Sequence, residues 1–251
     1  MRPLPPDRSP RPVALRLTLG LLCVLVMFTL LALGTWQVRR LAWKQALIAR
    51  VDARVHAPPV PVPPPAQWPT LDVPAEAYRH VQLSGHFLWN QTERIQASTE
   101  LGPGYWLITP LALEDGHAVL VNRGFMADPG DERPPAAAAL DQVTGLLRAS
   151  EPGGRLFRPN QPGAHLWYSR DVTALATAMQ LSGAAPFFVD ADADPGTDPL
   201  AAPPPNRAIA GLTVITFPNN HLVYALTWFA LAAMAAWGLL LLWREGDHQD
   251  E

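Results

Sequence analysis

Cysteine and lysine are almost absent from this 251-residue chain: Cys23 is the only thiol, and Lys44 stands alone beside 18 arginines. Cys23 lies inside a long apolar run, so the rest of the chain forms no intrachain disulfide and offers no thiolate for redox chemistry or metal delivery. A thioredoxin-like or copper-thiolate role is thereby excluded. A single lysine leaves little scope for Schiff-base or lysine general-base chemistry. Enzyme motifs are missing too: there is no G-x-S-x-G, no P-loop, no H-E-x-x-H and no pair of carboxylates at a readable spacing. No catalytic residue is assigned, although residues assembled from separate strands would leave no such trace. With a formal charge of −3, no nucleic-acid partner is expected.

What the chain does contain is hydrophobicity in two blocks. Leu17 to Trp36 is 20 residues without a charge, 15 of them hydrophobic, and Leu222 to Trp243 is 22 residues with 20 hydrophobic. As helices rising 1.5 Å per residue, each is long enough to cross about 30 Å of hydrocarbon. Outside them the composition falls to roughly 42% hydrophobic, ordinary for a soluble domain. The layout is thus two spans bracketing one hydrophilic domain, neither a soluble cytoplasmic enzyme nor a polytopic transporter.

The first block has an alternative reading as a cleaved secretory signal, with Ala32-Leu33-Gly34 as the small-residue site, but its apolar run exceeds the roughly 7 to 15 residues of such signals. Arginines flank it on both sides: Arg2, Arg8, Arg11 and Arg16 before, Arg39, Arg40, Arg50 and Arg54 after. The 185 residues from Gln37 to His221 are long enough to translocate regardless of charge, so the short tails set the orientation. Both termini are expected in the cytoplasm, with the central domain on the outer side of a bacterial inner membrane. The expected segments are a tail 1–16, a span 17–36, a helical stalk 37–56, a proline-rich spacer 57–74, an external domain 75–217, a span 222–243 and a tail 244–251. That last tail is too short to be the output domain of a two-span sensor.

Trp36, Arg40 and Trp43 fall at i, i+4 and i+7 on one side of a helix leaving the bilayer. Two readings of this face stand: an aromatic and basic interfacial anchor, or a surface that meets a ligand carboxylate or a partner. The eight prolines between Ala57 and Pro74 leave neither helix nor central strand available, and predict an extended spacer. The domain then reads as strands. Tyr78 to Phe87 alternates, with Val81, Leu83 and Phe87 on one face and His80, Gln82 and His86 on the other. Further strands are predicted over 94–98, 105–113, 117–125, 142–149, 186–189 and 212–217, with Glu114-Asp115-Gly116 as a hairpin turn. One short helix is predicted over 171–181, with Asp171 near its start and Gly183 past its end. Parallel pairing needs a crossover helix between successive strands, which the pattern does not offer. The fold class is therefore membrane α+β: two transmembrane helices flanking a mainly antiparallel β barrel or sandwich with one short helix.

The run Asp190-Ala191-Asp192-Ala193-Asp194 invites a calcium reading, but Pro195 and Ala201 stand where the loop requires glycine and glutamate. It is read as a solvated acidic turn. At the entrance to the second span, His221, Tyr224, Ala225 and Trp228 occupy i, i+3, i+4 and i+7, so one helix face presents an imidazole, a phenol, a gap and an indole. Imidazole is a common iron ligand and aromatic neighbours suit a flat macrocycle. The competing reading is that His221 caps the span while Tyr224 and Trp228 belong to an aromatic belt. Ala225, Ala232 and Ala236 form a small-residue stripe against which another helix can pack.

Several of these segments together resemble the surfeit-locus family of cytochrome c oxidase assembly factors. They are Leu33-Gly34-Thr35-Trp36-Gln37-Val38-Arg39-Arg40-Leu41-Ala42-Trp43-Lys44, then Gly102 to Leu111 with Val119-Leu120-Val121-Asn122-Arg123-Gly124-Phe125, then Pro218-Asn219-Asn220-His221-Leu222-Val223-Tyr224-Ala225-Leu226-Thr227-Trp228. They occur in the family's order across about residues 17–243. The resemblance implies a non-catalytic, membrane-anchored assembly factor that binds haem a and assists its insertion into subunit I of a haem-copper oxidase. It implies His221 as the haem iron ligand, and Trp36, Arg39, Gly124, Tyr224 and Trp228 match motif positions. Arg39 or Arg40 would then pair with a haem propionate, since guanidinium matches a carboxylate in a bidentate fork. Expected partners are oxidase subunit I, haem A synthase and the lipid bilayer. The alternative is a scaffold without haem that stabilises an oxidase assembly intermediate through its external domain.

Overall fold

A computed structural model describes residues 13–128, 130, 132, 140–155, 158–193, 207–212 and 219–247. The chain divides into two units: one holds residues 50–215, the other residues 1–49 with 216–251.

The first unit is a β domain. Its strands are β1 (Val60–Pro61), β2 (His80–Phe87), β3 (Glu93–Thr99), β4 (Gly102–Ala112), β5 (Ala118–Met126), β6 (Asp141–Ala149) and β7 (Ala184–Ala191). They form one sheet in the order β1-β2-β6-β7-β5-β4-β3, and β2 also pairs with β4 through His86↔Ala112 and Phe87↔Leu111. Five strands thus close into a barrel, with β1 and β3 on its margins. The alternation read in β2 holds, with Val81 and Leu83 buried and Gln82, Ser84 and His86 exposed. Eight of nine residues in β5 and the run Phe187 to Asp190 in β7 are buried, because a layer covers both faces. Val119, Val121, Phe187 and Val189 point into one core with Val81, Leu111 and Leu147. Leu120 and Phe188 point into a second, with Trp167 and the short helix α3 (Val172–Ala178) through Val172 and Leu175.

Helix α3 lies within the predicted segment, and the Asp171 carboxylate accepts from the Ala174 amide at 3.1 Å as its N-cap. Gln180, at φ 55°, turns the chain out of it. The predicted hairpin joins β4 to β5, with His117 N donating to the Asp115 carboxylate. The predicted strand over 212–217 falls largely outside the described residues.

Three expectations need correction. The sheet is mainly antiparallel, as expected, but parallel pairing is not unavailable: β5 and β7 run parallel, with Leu120↔Phe188, Val121↔Val189 and Asn122↔Asp190 in register, and β1 runs parallel to β2. The β5–β7 connection passes through β6 and α3, so the crossover exists but not between successive strands. Second, the proline-rich segment is no free spacer. Val60 and Pro61 pair with the edge of β2, where a missing proline N–H is tolerated, and a four-residue helix α2 (Val73–Glu76) follows. Trp68 between them is buried against Phe187, edge to face at 6.0 Å, with its indole N–H donating to Pro63 O at 2.8 Å. Third, the acidic run is not a solvated turn. Asp190 is 2% exposed on β7, and Asp192 binds His80; Asp194 lies outside the described residues.

The His80 ring faces two acceptors, Ala57 O and an Asp192 carboxylate oxygen, both at 2.7 Å. Burial alone would lower its pKa, but the Ala57 carbonyl and the hydrogen bond and charge of Asp192 together raise it above the ordinary histidine value. A folded-state pKa above the unfolded one makes this clip complete below about pH 6.5, and it weakens as pH climbs through the raised value. Thermal unfolding of the full chain is expected to show wild type losing stability relative to His80→Gln as pH rises above about 6.5. Parallel pH curves for the two proteins would contradict it.

Candidate functional site

The second unit contains the two apolar helices. Helix α1 runs from Val13 to Val55 and α4 from His221 to Asp247, and both are long and apolar enough to cross a membrane. The chain therefore has the form of two membrane-type helices flanking a soluble β domain. The helices pack antiparallel. A Cβ placed on Gly20 would lie 3.8 Å from Leu239, and one on Gly34 would lie 2.6 Å from the Phe229 ring. Ala225 and Ala232 are 2% and 3% exposed, so the small-residue stripe lies in the packed face. Absence of a side chain at Gly34 is what lets the Phe229 ring approach α1 so closely.

One turn beyond Gly34, Gln37 is buried and its amide oxygen lies 2.7 Å from His221 Nδ1. The amide oxygen only accepts, so the imidazole donates from Nδ1, and in the neutral ring the second nitrogen, Nε2, carries the lone pair. No other partner of His221 occurs among the described residues. Asn219, two residues earlier, has a buried side-chain oxygen with no hydrogen-bond partner among them.

None of the other residues singled out from sequence is hydrogen-bonded to this pair among the described residues. Trp36 and Tyr224 are more than half exposed, Trp228 is half-buried, and Arg39 and Arg40 are exposed. The Arg40 guanidinium lies 4.0 Å from the Trp43 ring centroid, a cation–π stack that leaves its in-plane N–H donors available. No acidic residue occurs between Arg8 and Asp52, so this stretch of α1 presents only positive charge. The helix face read as a unit is divided: Ala225 turns toward α1 while Tyr224 turns away.

Gln37 is the residue that the sequence reading missed as a site residue. It stands three positions after Gly34, hence on the same helix face, and a polar residue on a packed face of an apolar helix calls for a partner. That was the available signal.

Among the described residues no cluster of three or more His, Cys, Asp or Glu could hold a bare metal ion. A lone imidazole with an oriented second nitrogen suits a metal whose remaining ligands come from a macrocycle. The donor set therefore fits a haem better than a free cation.

Comparison with known sequences gives a consistent result. The SURF1 family model matches residues 24–233. Surfeit locus protein 1 of Mus musculus is 32% identical over 235 residues, covering 85% of this chain and 72% of its own. The Homo sapiens protein of the same name is 30% identical over 236 residues, covering 85% and 74%. The SURF1-like protein of Drosophila melanogaster is 32% identical over 237 residues, covering 86% and 74%. The matched region takes in most of the first apolar helix, the start of the second, the barrel strands and the Gln37–His221 pair, and the chain belongs to the SURF1 family.

Proposed function

We propose that this protein is a non-catalytic assembly factor for haem-copper terminal oxidases that binds haem a through His221 and assists its insertion into oxidase subunit I. The observation that carries the reading is the imidazole of His221, held at Nδ1 by a buried amide and without a partner at Nε2 among the described residues. Haem a, when bound, would supply an iron that takes a nitrogen ligand, a largely apolar ring and two propionates. His221 Nε2 offers the nitrogen. The exposed rings of Trp36 and Tyr224 and the half-buried ring of Trp228 offer flat apolar surface of the kind a macrocycle would cover. Arg39 and Arg40 offer guanidinium groups to the propionates, in a stretch with no competing carboxylate.

In this reading the β domain lies outside a bacterial inner membrane and both termini lie inside, which the four arginines of the N-terminal tail and Arg244 support. Subunit I is the proposed client and haem A synthase the proposed donor.

The test is the spectrum of the full chain purified from cells that make haem a. Wild type is expected to carry haem, and His221→Ala to lose it by at least the roughly 10–100-fold that follows loss of a ligand's supporting hydrogen bond. Haem-free wild type would sink the haem reading in favour of a scaffold acting through the β domain. Equal haem in the variant would sink only the ligand assignment.

A further inference from the structure

We infer that Gln37 is a positioning residue for the haem ligand: its buried amide fixes His221 as the Nδ1–H tautomer, so that Nε2 is the iron-binding atom. The inference rests on the haem reading above for its purpose, but its geometry stands apart from it. Gln37 Oε1 lies 2.7 Å from His221 Nδ1, across 184 positions of sequence. Left to itself, a histidine side chain favours its proton on Nε2, the nitrogen that would have to face iron. A buried oxygen at Nδ1 reverses that preference, because an amide oxygen without a donor would be left unsatisfied in an apolar contact.

No rival sets the tautomer. Among the described residues neither a carboxylate nor a backbone carbonyl lies at either ring nitrogen. Arg39 and Arg40, the nearest charged residues along α1, are exposed rather than directed into the helix contact. The amide also differs chemically from the carboxylate that often stands behind a metal-bound histidine. It orients the ring as a neutral acceptor, a more moderate hold on the Nδ1 proton than a carboxylate's. A carrier that must surrender its cargo needs that moderation, whereas a carboxylate would favour ferric iron and slow release. Gly34, one turn earlier, lets the Phe229 ring close against α1, and filling that gap would disturb the register in which Gln37 meets His221.

Full-length protein in detergent, labelled with 15N-histidine, reports the tautomer without haem, and His221→Ala identifies the resonance. Wild type is expected to show Nδ1–H, and Gln37→Leu, which keeps the volume, to revert to Nε2–H. Haem titration of the same proteins is expected to show a fall of about 10–100-fold in affinity for Gln37→Leu. Gln37→Glu restores an acceptor at the same reach and is expected to recover binding, with a lower reduction potential and slower release than wild type. A residue that merely packs would shift neither tautomer nor potential, and glutamate would not rescue it. An Nε2–H tautomer in wild type, or unchanged affinity in Gln37→Leu, overturns the inference. Wild type with the Nδ1–H tautomer but no haem affinity leaves the hold of Gln37 on the imidazole intact and overturns the proposed function instead.

Discussion

Replacing Asp190 by alanine is expected to destabilise the full-length protein by about 3–5 kcal/mol, the cost of removing one partner from a buried ion pair. Asp190 is 2% exposed and accepts from Arg148 Nη1 at 2.6 Å, Arg170 Nη1 at 3.2 Å and Asn122 Nδ2 at 2.8 Å. These come from β6, from the segment before α3 and from β5, so one carboxylate ties the parallel β5–β7 pair to β6 and to the crossover. Burial would depress the Arg170 guanidinium, yet the charge of Asp190 and then the bidentate contact with Glu151 raise it above the ordinary value. Without Asp190, Arg170 keeps Glu151, while Arg148 keeps the ring of Tyr78 at 4.9 Å and a distant Glu151 oxygen at 3.9 Å. Arg148 is thus the group left poorly compensated. Thermal unfolding in detergent is expected to drop by roughly 10 °C for Asp190→Ala, with Asp190→Asn between it and wild type because it keeps the shape and one acceptor. A loss below about 1 kcal/mol for alanine would mean that Glu151 and Tyr78 satisfy both arginines unaided.

Asp190 also marks where sequence reasoning stops. In an alternation of aspartate and alanine the acidic residues look solvated, and only the pairing of β7 with both β5 and β6 brings Arg148 and Asn122 to it. Local periods were legible: the two-residue period of β2, the Asp171 cap of α3, the turn at Asp115 and the two apolar runs each depend on neighbours within a few positions. Pairings between distant segments were not. The parallel register of Asn122 with Asp190 has no local trace, and the burial of Trp68 is hidden because proline content describes the backbone and says nothing about where one indole goes. The site shows the same division. The resemblance points to His221 and its aromatic neighbours, but its hydrogen-bond partner sits on the other apolar helix, and a helical wheel of either helix alone cannot pair them. The exposed Tyr224 and the buried Ala225 show that a shared face in sequence spacing spans both a contact and a free surface.

Gly124→Ala is expected to cost about as much as the loss of Asp190, for a reason in the backbone. Gly124 has φ 129°, a conformation that L side chains rarely adopt, and a Cβ there would lie 2.3 Å from the carbonyl carbon and oxygen of Ile209. Backbone strain of this kind costs about 1–3 kcal/mol. The overlap is with main chain, which cannot rotate aside, so the 207–212 segment must move. Doing so breaks the reciprocal bonds of Phe125 N to Ile209 O at 2.9 Å and Ile209 N to Phe125 O at 2.8 Å, worth about 1 kcal/mol each. Together these give roughly 3–5 kcal/mol. Unfolding of the full chain would report the sum, and amide exchange at Phe125 the local opening. Asn122 links this position to the Asp190 cluster, since its side-chain oxygen accepts from Gly124 N at 3.2 Å while its amide donates to Asp190. Moving either neighbour disturbs the same amide. The double variant Gly124→Ala with Asp190→Asn is therefore expected to cost less than the sum of the single losses, by about 0.5–1 kcal/mol. Strict additivity would show that Asn122 does not transmit strain between the end of β5 and the cluster at its centre.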